Sequence, residues 1–292
     1  MSILSHLHFN NYEDACSEIY SRIKDNPQLV HLFEQLQTSS MGRFLIRNRG
    51  LNAYWTDIIV NFPHLSPLQQ EIITDFDCQI LGYFPIVNAT QQRFSLFKKE
   101  IAACLTQKMD ILSAPAGLLP EFRTQDYTHK DITITALDID ATLEQLLKQY
   151  LKGTALEKKY QFCLQDVFHF STHNQYDLVV SNGLNIYISD HQKVQQLYQI
   201  FFNTLKAGGK LITSFLTPPP TIDANSPWQM ESIPPLWLQQ QKQLFIDILD
   251  ANWNCYMDES TFTNILKKTG FNDIKIHWDN NKIFPTVTAC KV

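Results

Sequence analysis

Gly117 and Asp138 stand 21 residues apart, and together they could hold a nucleotide. Gly117 ends a run of small residues, Ser113-Ala114-Pro115-Ala116-Gly117, that follows the apolar pair Ile111 and Leu112. Asp138 ends a second apolar run, Ile132 to Leu137. A tight turn after a first strand lets a ligand approach the backbone, and a carboxylate at the tip of a second strand accepts both hydroxyls of a ribose. Here the carboxylate is in place, while the turn keeps a single glycine.

For these residues to meet, the two runs must be parallel neighbours in a sheet. From Met109 onward, short apolar runs alternate with helical stretches, the pattern of a parallel sheet with crossover helices. Strands are expected at 110–113, 132–137, 160–164, 177–181 and 210–216, with helices near 118–124, 141–152 and 191–206. Ala207-Gly208-Gly209 reads as the C-terminal turn of that last helix. Six prolines in 217–240 exclude a regular element there, and loops of this length are often binding lids, so 217–258 reads as a lid-like insertion. Helices at 241–251 and 260–269 precede two closing strands, 273–278 and 285–291, joined as an antiparallel hairpin.

Residues 1–106 have apolar positions at helical spacing, such as Ile19, Ile23, Leu29, Leu32 and Phe33. Asn26-Pro27, Phe62-Pro63-His64 and Ser66-Pro67 supply breaks and helix starts, and a last helix is expected at 91–107. This helical region would pack on the core, cover a pocket or form a homodimer.

A formal charge of −5 gives no reason to expect nucleic acid as a partner. The basic group Arg43, Arg47 and Arg49 reads as a solvated helix face. No apolar run reaches the 18 or so residues of a membrane span, and the start MSILSHLHFNNYED lacks the pattern of a secretion signal. Six scattered cysteines with no C-x-x-C pair suit neither a disulfide framework nor a zinc site, so no metal and a cytoplasmic location are expected.

Over roughly residues 109–292, within a domain expected at 107–292, the order of motifs resembles the class I S-adenosylmethionine-dependent methyltransferases. ILSAPAGLLPEF lies where that family has its glycine-rich first motif, and ALDID at the acidic tip of the second strand. CLQDVFHF follows the third strand, YDLVVSNGLNIYISD matches the fourth-strand motif, and LKAGGKLITSFL the run into the fifth. KKTGFNDIKIHWDNNKIFPTVTACK has the family's closing helix, Gly-Phe and hairpin. The resemblance implies an α/β, Rossmann-like, seven-stranded and mostly parallel sheet with an antiparallel last strand, preceded by the helical region. The first motif departs from the family: Ser113 replaces an acid, and Pro115 and Leu119 replace glycines.

The resemblance also implies which residues contact the cofactor, S-adenosyl-L-methionine. These are Ser113, Ala114, Pro115, Ala116 and Gly117 in the first turn, and Asp138 with Ile139 at the ribose. Asp166 and Val167 would lie at the adenine, and Ser181, Asn182 and Gly183 at the methionine end. Asp138 also reads as a helix N-cap, Asp166 as a solvated acid, and Ser-Asn-Gly as a plain turn. Tyr187, Asp190 and His191 are candidates for acceptor chemistry, with His169 and His173 as further choices. Trp228, Trp237, Trp253 and Tyr256 would wall an apolar pocket. The expected activity is methyl transfer to a small-molecule or lipid-like acceptor. The alternatives are a non-catalytic protein that binds a partner through its helical region and, further off, a nicotinamide-dependent dehydrogenase. The last needs G-x-G-x-x-G after the first strand, where this chain has one glycine.

Overall fold

Short polar side chains open most of the N-terminal helices in the computed structural model, which describes residues 11–62, 64–251, 253 and 255–292. The leader reading of residues 1–10 and Pro63 of the Phe62–His64 break lie outside the described residues. Asn11, Asn26, Ser39 and Asn52 accept backbone N–H groups at the starts of α1 (Tyr12–Ile23), α2 (Pro27–Thr38), α3 (Ser40–Asn48) and α4 (Ala53–Asn61). Reciprocal capping boxes, Ser66 with Gln69 and Thr74 with Asp77, open α5 (Pro67–Gln70) and α6 (Asp75–Tyr83). Each cap satisfies N–H groups that the helix itself leaves unpaired, worth about 0.5–2 kcal/mol. Next comes α7 (Pro85–Cys104), a single helix of 20 residues.

The chain forms two compact units, one of Met1–Gln91 with Gln229–Asn254, the other of Gln92–Trp228 with Cys255–Val292. The first is helical. Its core joins Ile19, Leu36, Met41 and Ile58 to Leu244, Phe245 and Ile248 of the later segment. Arg22 donates to the Ile248 carbonyl at 2.8 Å, and the Gln241 side chain accepts from the Ile86 N–H at 2.7 Å. Arg49 is no solvated charge: it pairs with Glu18 and with Asp250.

The later segment corrects the expectation that prolines exclude regular structure from 217–240. Pro235 is the first residue of α8 (Pro235–Lys242), where the missing N–H would be unpaired anyway. The helix expected at 241–251 is instead the end of α8 followed by a π-helical stretch, Gln243–Ile248, which buries Leu244, Phe245 and Ile248 together.

The second unit holds a seven-stranded sheet. Its strands are β1 (Lys108–Ser113), β2 (Asp131–Asp138), β3 (Tyr160–Leu164), β4 (Tyr176–Val180), β5 (Leu205–Ser214), β6 (Phe271–His277) and β7 (Thr286–Lys291). The order is β3-β2-β1-β4-β5-β7-β6, with β7 antiparallel to both β5 and β6 and the other pairs parallel. β1, the first strand in sequence, is thus flanked by β2 and β4, the reversal point where open α/β sheets form a crevice. Among the described residues, no helix is long and apolar enough to cross a membrane.

Two local expectations fail in this unit. The helix expected at 118–124 is a chain of turns, with N–H groups of Leu119, Phe122 and Gln125 bonding three residues back. Leu119 has φ +51° and Pro120 has no N–H, which together prevent a helical ladder. Ala207-Gly208-Gly209 lies inside β5 rather than ending the preceding helix (His191–Thr204). The step from Tyr176 to Leu178 on β4 is matched by Leu205 to Lys210 on β5, so residues between them bulge outward. Lys206 explains the early exit from the helix, since its Nζ sits 2.9 Å from Asp177 and 3.1 Å from Asp110.

Candidate functional site

The three central strands end side by side. Ser113 on β1 registers with Ala136 on β2 and Val180 on β4. The loop that follows folds back over these tips: the Ala114 N–H bonds Val180 O at 2.9 Å, and the Ala116 N–H bonds Leu137 O at 3.0 Å. The Gly117 N–H then donates to Asp138 Oδ2 at 3.2 Å. The glycine and the carboxylate are therefore in direct contact. Pro115 lies exposed between them and offers no donor.

Both Gly117 and Leu119 have φ +51°. For leucine that backbone costs roughly 1–2 kcal/mol. Leu119 is fully buried, and burying a leucine side chain returns about 1.5–3 kcal/mol. Packing therefore holds Leu119 in a backbone conformation that favours glycine.

Asp138 is half-buried, and burial pushes its carboxyl up from the ordinary range against hydrogen bonds from Asp140, Gly117 and Ile139. Asp138 Oδ1 accepts the Asp140 N–H at 3.1 Å. A carboxylate has about four lone-pair sites, so acceptor capacity remains for ribose hydroxyls. Its backbone carbonyl takes the Gln165 N–H at 3.0 Å, which draws the end of β3 to the same place. There Asp166 caps a single turn by accepting from the Phe168 N–H, and Val167 is buried. Ser181 is buried beyond β4, with its N–H on Ile212 O at 2.9 Å. The first turn, Asp138, Asp166 and Ser181-Asn182-Gly183 thus gather at one end of the sheet.

The acceptor candidates are more dispersed. Asp190 caps the helix His191–Thr204 through the Gln192 N–H, and His191 is exposed on its first turn. His169 and His173 are exposed. Burial pushes the Tyr187 phenol up to about 12, although Arg93 lowers it. Trp228 donates its indole N–H to Thr217 Oγ1 at 2.9 Å, and burial raises Tyr256. Trp237 stacks on Tyr83, and Trp253 packs edge-on to Phe245, both inside the helical unit.

Two buried charges are absent from the sequence reading. Glu121 is 6 % exposed and accepts the Asn182 side-chain amide. Its carboxyl is raised by burial, against the Asn182 bond and Arg93. Arg93, 5 % exposed on α7, has its guanidinium 3.5 Å from the Phe284 ring centroid. Burial lowers it to about 9, although Glu121, Tyr187 and Asp279 raise it. Asp279 accepts the N–H groups of Asn281, Ile283 and Phe284, and so shapes the β6–β7 turn that brings Phe284 to Arg93. The signal for Arg93 was its spacing: Ala89, Arg93, Phe97 and Ile101 form one buried row along α7.

No protein-family model matches the sequence, and no curated protein is significantly similar to it. Among solved structures, the chain is similar to a protein from Bordetella parapertussis described as a possible exported protein. Their identity is 30 %, with 97 % of each chain covered and a TM-score of 0.90. It is also similar in fold to the S-adenosylmethionine-dependent methyltransferase SibL (12 % identity, 96 % of this chain and 74 % of that one, TM-score 0.54). The CurJ carbon methyltransferase is comparable (11 % identity, 97 % and 71 %, TM-score 0.53).

Proposed function

Since the chain belongs to the same family as the Bordetella parapertussis protein and carries the class I methyltransferase fold, we propose that it transfers a methyl group from S-adenosylmethionine to a small-molecule or lipid-like acceptor. The observation that carries this reading is Asp138 at the tip of β2 in contact with Gly117 of the turn after β1. Asp138 would accept the ribose hydroxyls, Asp166 and Val167 would meet the adenine, and Ser181, Asn182 and Gly183 would face the methionine end. The cofactor supplies an activated methyl on a sulfonium, so the protein contributes position and a dry site. A base is needed only if the acceptor loses a proton. Tyr187, with its phenol pushed up to about 12, serves at neutral pH as a hydrogen-bond donor. We assign this activity to the sheet-bearing part expected at 107–292.

The worn first turn favours a second reading, a non-catalytic protein of this fold that binds a partner through its helices. Calorimetry with S-adenosylmethionine and S-adenosylhomocysteine separates the two. Binding is expected, and Asp138→Ala should weaken it at least tenfold, about 1.4 kcal/mol. Absence of binding at millimolar cofactor would leave only the second reading. The scattered cysteines support a cytoplasmic protein, whereas the description of the Bordetella relative supports export, and cell fractionation decides between them.

A further inference from the structure

Among the described residues β3 pairs only with β2 and β6 only with β7, so these two strands are the edges of the sheet. An edge strand offers unpaired N–H and C=O groups to any other strand, and proteins commonly blunt it with charges or a bulge. β6 is blunted in both ways. Its pairing with β7 shifts between Asn272 and Lys275, Asp273 has φ +47°, and Asp273 and Lys275 pair at 3.0 Å. β3, Tyr160-Gln161-Phe162-Cys163-Leu164, has no charge, no proline and no register shift. The Lys159 carbonyl accepts the Ile134 N–H at 2.7 Å, and the Gln165 N–H donates to the Asp138 carbonyl at 3.0 Å. Residues of a strand bond alternately to one side and the other, so Tyr160, Phe162 and Leu164 direct their N–H and C=O groups away from β2. Their side chains share one face, where Leu164 is 55 % exposed. On that face a cavity of about 390 Å³ lies between Tyr160, Phe162 and the helix Leu143–Tyr150 with the turn after it.

We propose that β3 pairs antiparallel with β3 of a second copy of this chain, about a two-fold axis at Phe162. A contact of this symmetry needs a self-complementary strand, and β3 is one. Phe162 meets its own counterpart, and Tyr160 meets Leu164 of the second copy, which brings the exposed leucine to the rim of the cavity. Every outward N–H and C=O of the strand then gains a partner. Just past the strand, the exposed Lys158 falls opposite Asp166 of the second copy, so opposite charges meet at both ends. A slip of two residues would set Lys158 against Leu164 instead. This pairing is independent of the methyl-transfer reading.

Sedimentation velocity on the full chain should show a dimer that dissociates on dilution through the micromolar range. Leu164→Lys, at an exposed position, sets a charge against Tyr160 twice in each dimer and should raise the dissociation constant roughly tenfold or more. A cross-link tests the register and stands even if that variant does not fold. Gln161, also exposed, lies opposite Cys163 of the second copy in a non-hydrogen-bonded pair, with about 4.5 Å between Cα atoms and hence within disulfide reach. Gln161→Cys treated with diamide, which takes up the two thiol hydrogens, should give a covalent dimer joined through positions 161 and 163. Mass spectrometry reads the link, and adding Cys163→Ser should remove it. A chain that stays monomeric overturns the pairing. So does a dimer that survives Leu164→Lys unchanged or gives no link between 161 and 163, since its contact would lie on another surface, such as the helical unit.

Discussion

Asp138 has a hydrogen-bond environment that opposes its burial, and burial prevails. Its folded pKa lies above the unfolded value of about 4. The stability it contributes is fully present below that value and is lost as pH rises through the folded pKa. The melting temperature of the natural chain relative to Asp138→Asn should accordingly fall as pH rises through that window. A difference that stays flat from about pH 4 to about pH 8 would show that the carboxyl is not shifted upward. This residue was legible in the sequence because strand, turn and acid follow in a fixed order with a fixed spacing. Arg93 and Glu121 were not, because their meaning lies in what surrounds them. An arginine in a helix reads as a solvated charge until a ring and a second helix-free loop close over it.

At the scale of elements, caps and bulges decide where secondary structure starts and stops. Asp258 caps the helix Glu259–Thr269, bonding the Thr261 N–H at 2.9 Å as well as the hydroxyls of Ser260 and Thr261. Burial works to raise its carboxyl, but these bonds bring it down to about 2. Its contribution is thus present above the unfolded value and lost as pH falls toward 2. Asp258→Ala should cost about 1 kcal/mol in denaturant unfolding at neutral pH, and a loss that persists undiminished at acid pH would point to some other cause. Gly209 presents a steric test, for a Cβ there would meet Lys206 O at 2.8 Å. Gly209→Ala should destabilise by about 1–3 kcal/mol, read as a lower unfolding midpoint; an unchanged midpoint would mean the bulge can shift freely. The sequence marked Gly208-Gly209 as a turn and misplaced it by one element. The ion pairs of Lys206 with Asp110 and Asp177 join strands distant in sequence, and local pattern cannot see them.

For the whole molecule, the resemblance carried the expectation of a seven-stranded, mostly parallel sheet with an antiparallel last strand, and the sheet has that form; the strand runs and the closing hairpin were distinct in the sequence, while the order of the strands was not read from it. Nor was the make-up of the helical unit. Nothing local in 229–254 signals that Leu244, Phe245 and Ile248 belong to one core with Ile19 and Leu36. A fragment covering residues 11–91 lacks those side chains and the carbonyl that Arg22 binds. It should show no cooperative thermal transition by circular dichroism, and a sharp transition would mean the first segment is self-sufficient.

That discontinuity bears on how the protein is made. The segment that completes the helical core is translated roughly 160 residues after Gln91. At about 5–20 residues per second, the first helices wait roughly 10–30 s on the ribosome with their apolar faces uncovered. During that interval they are natural clients for a holding chaperone. Synonymous codons that slow translation before Gln229 would lengthen the exposure and lower the yield of active protein.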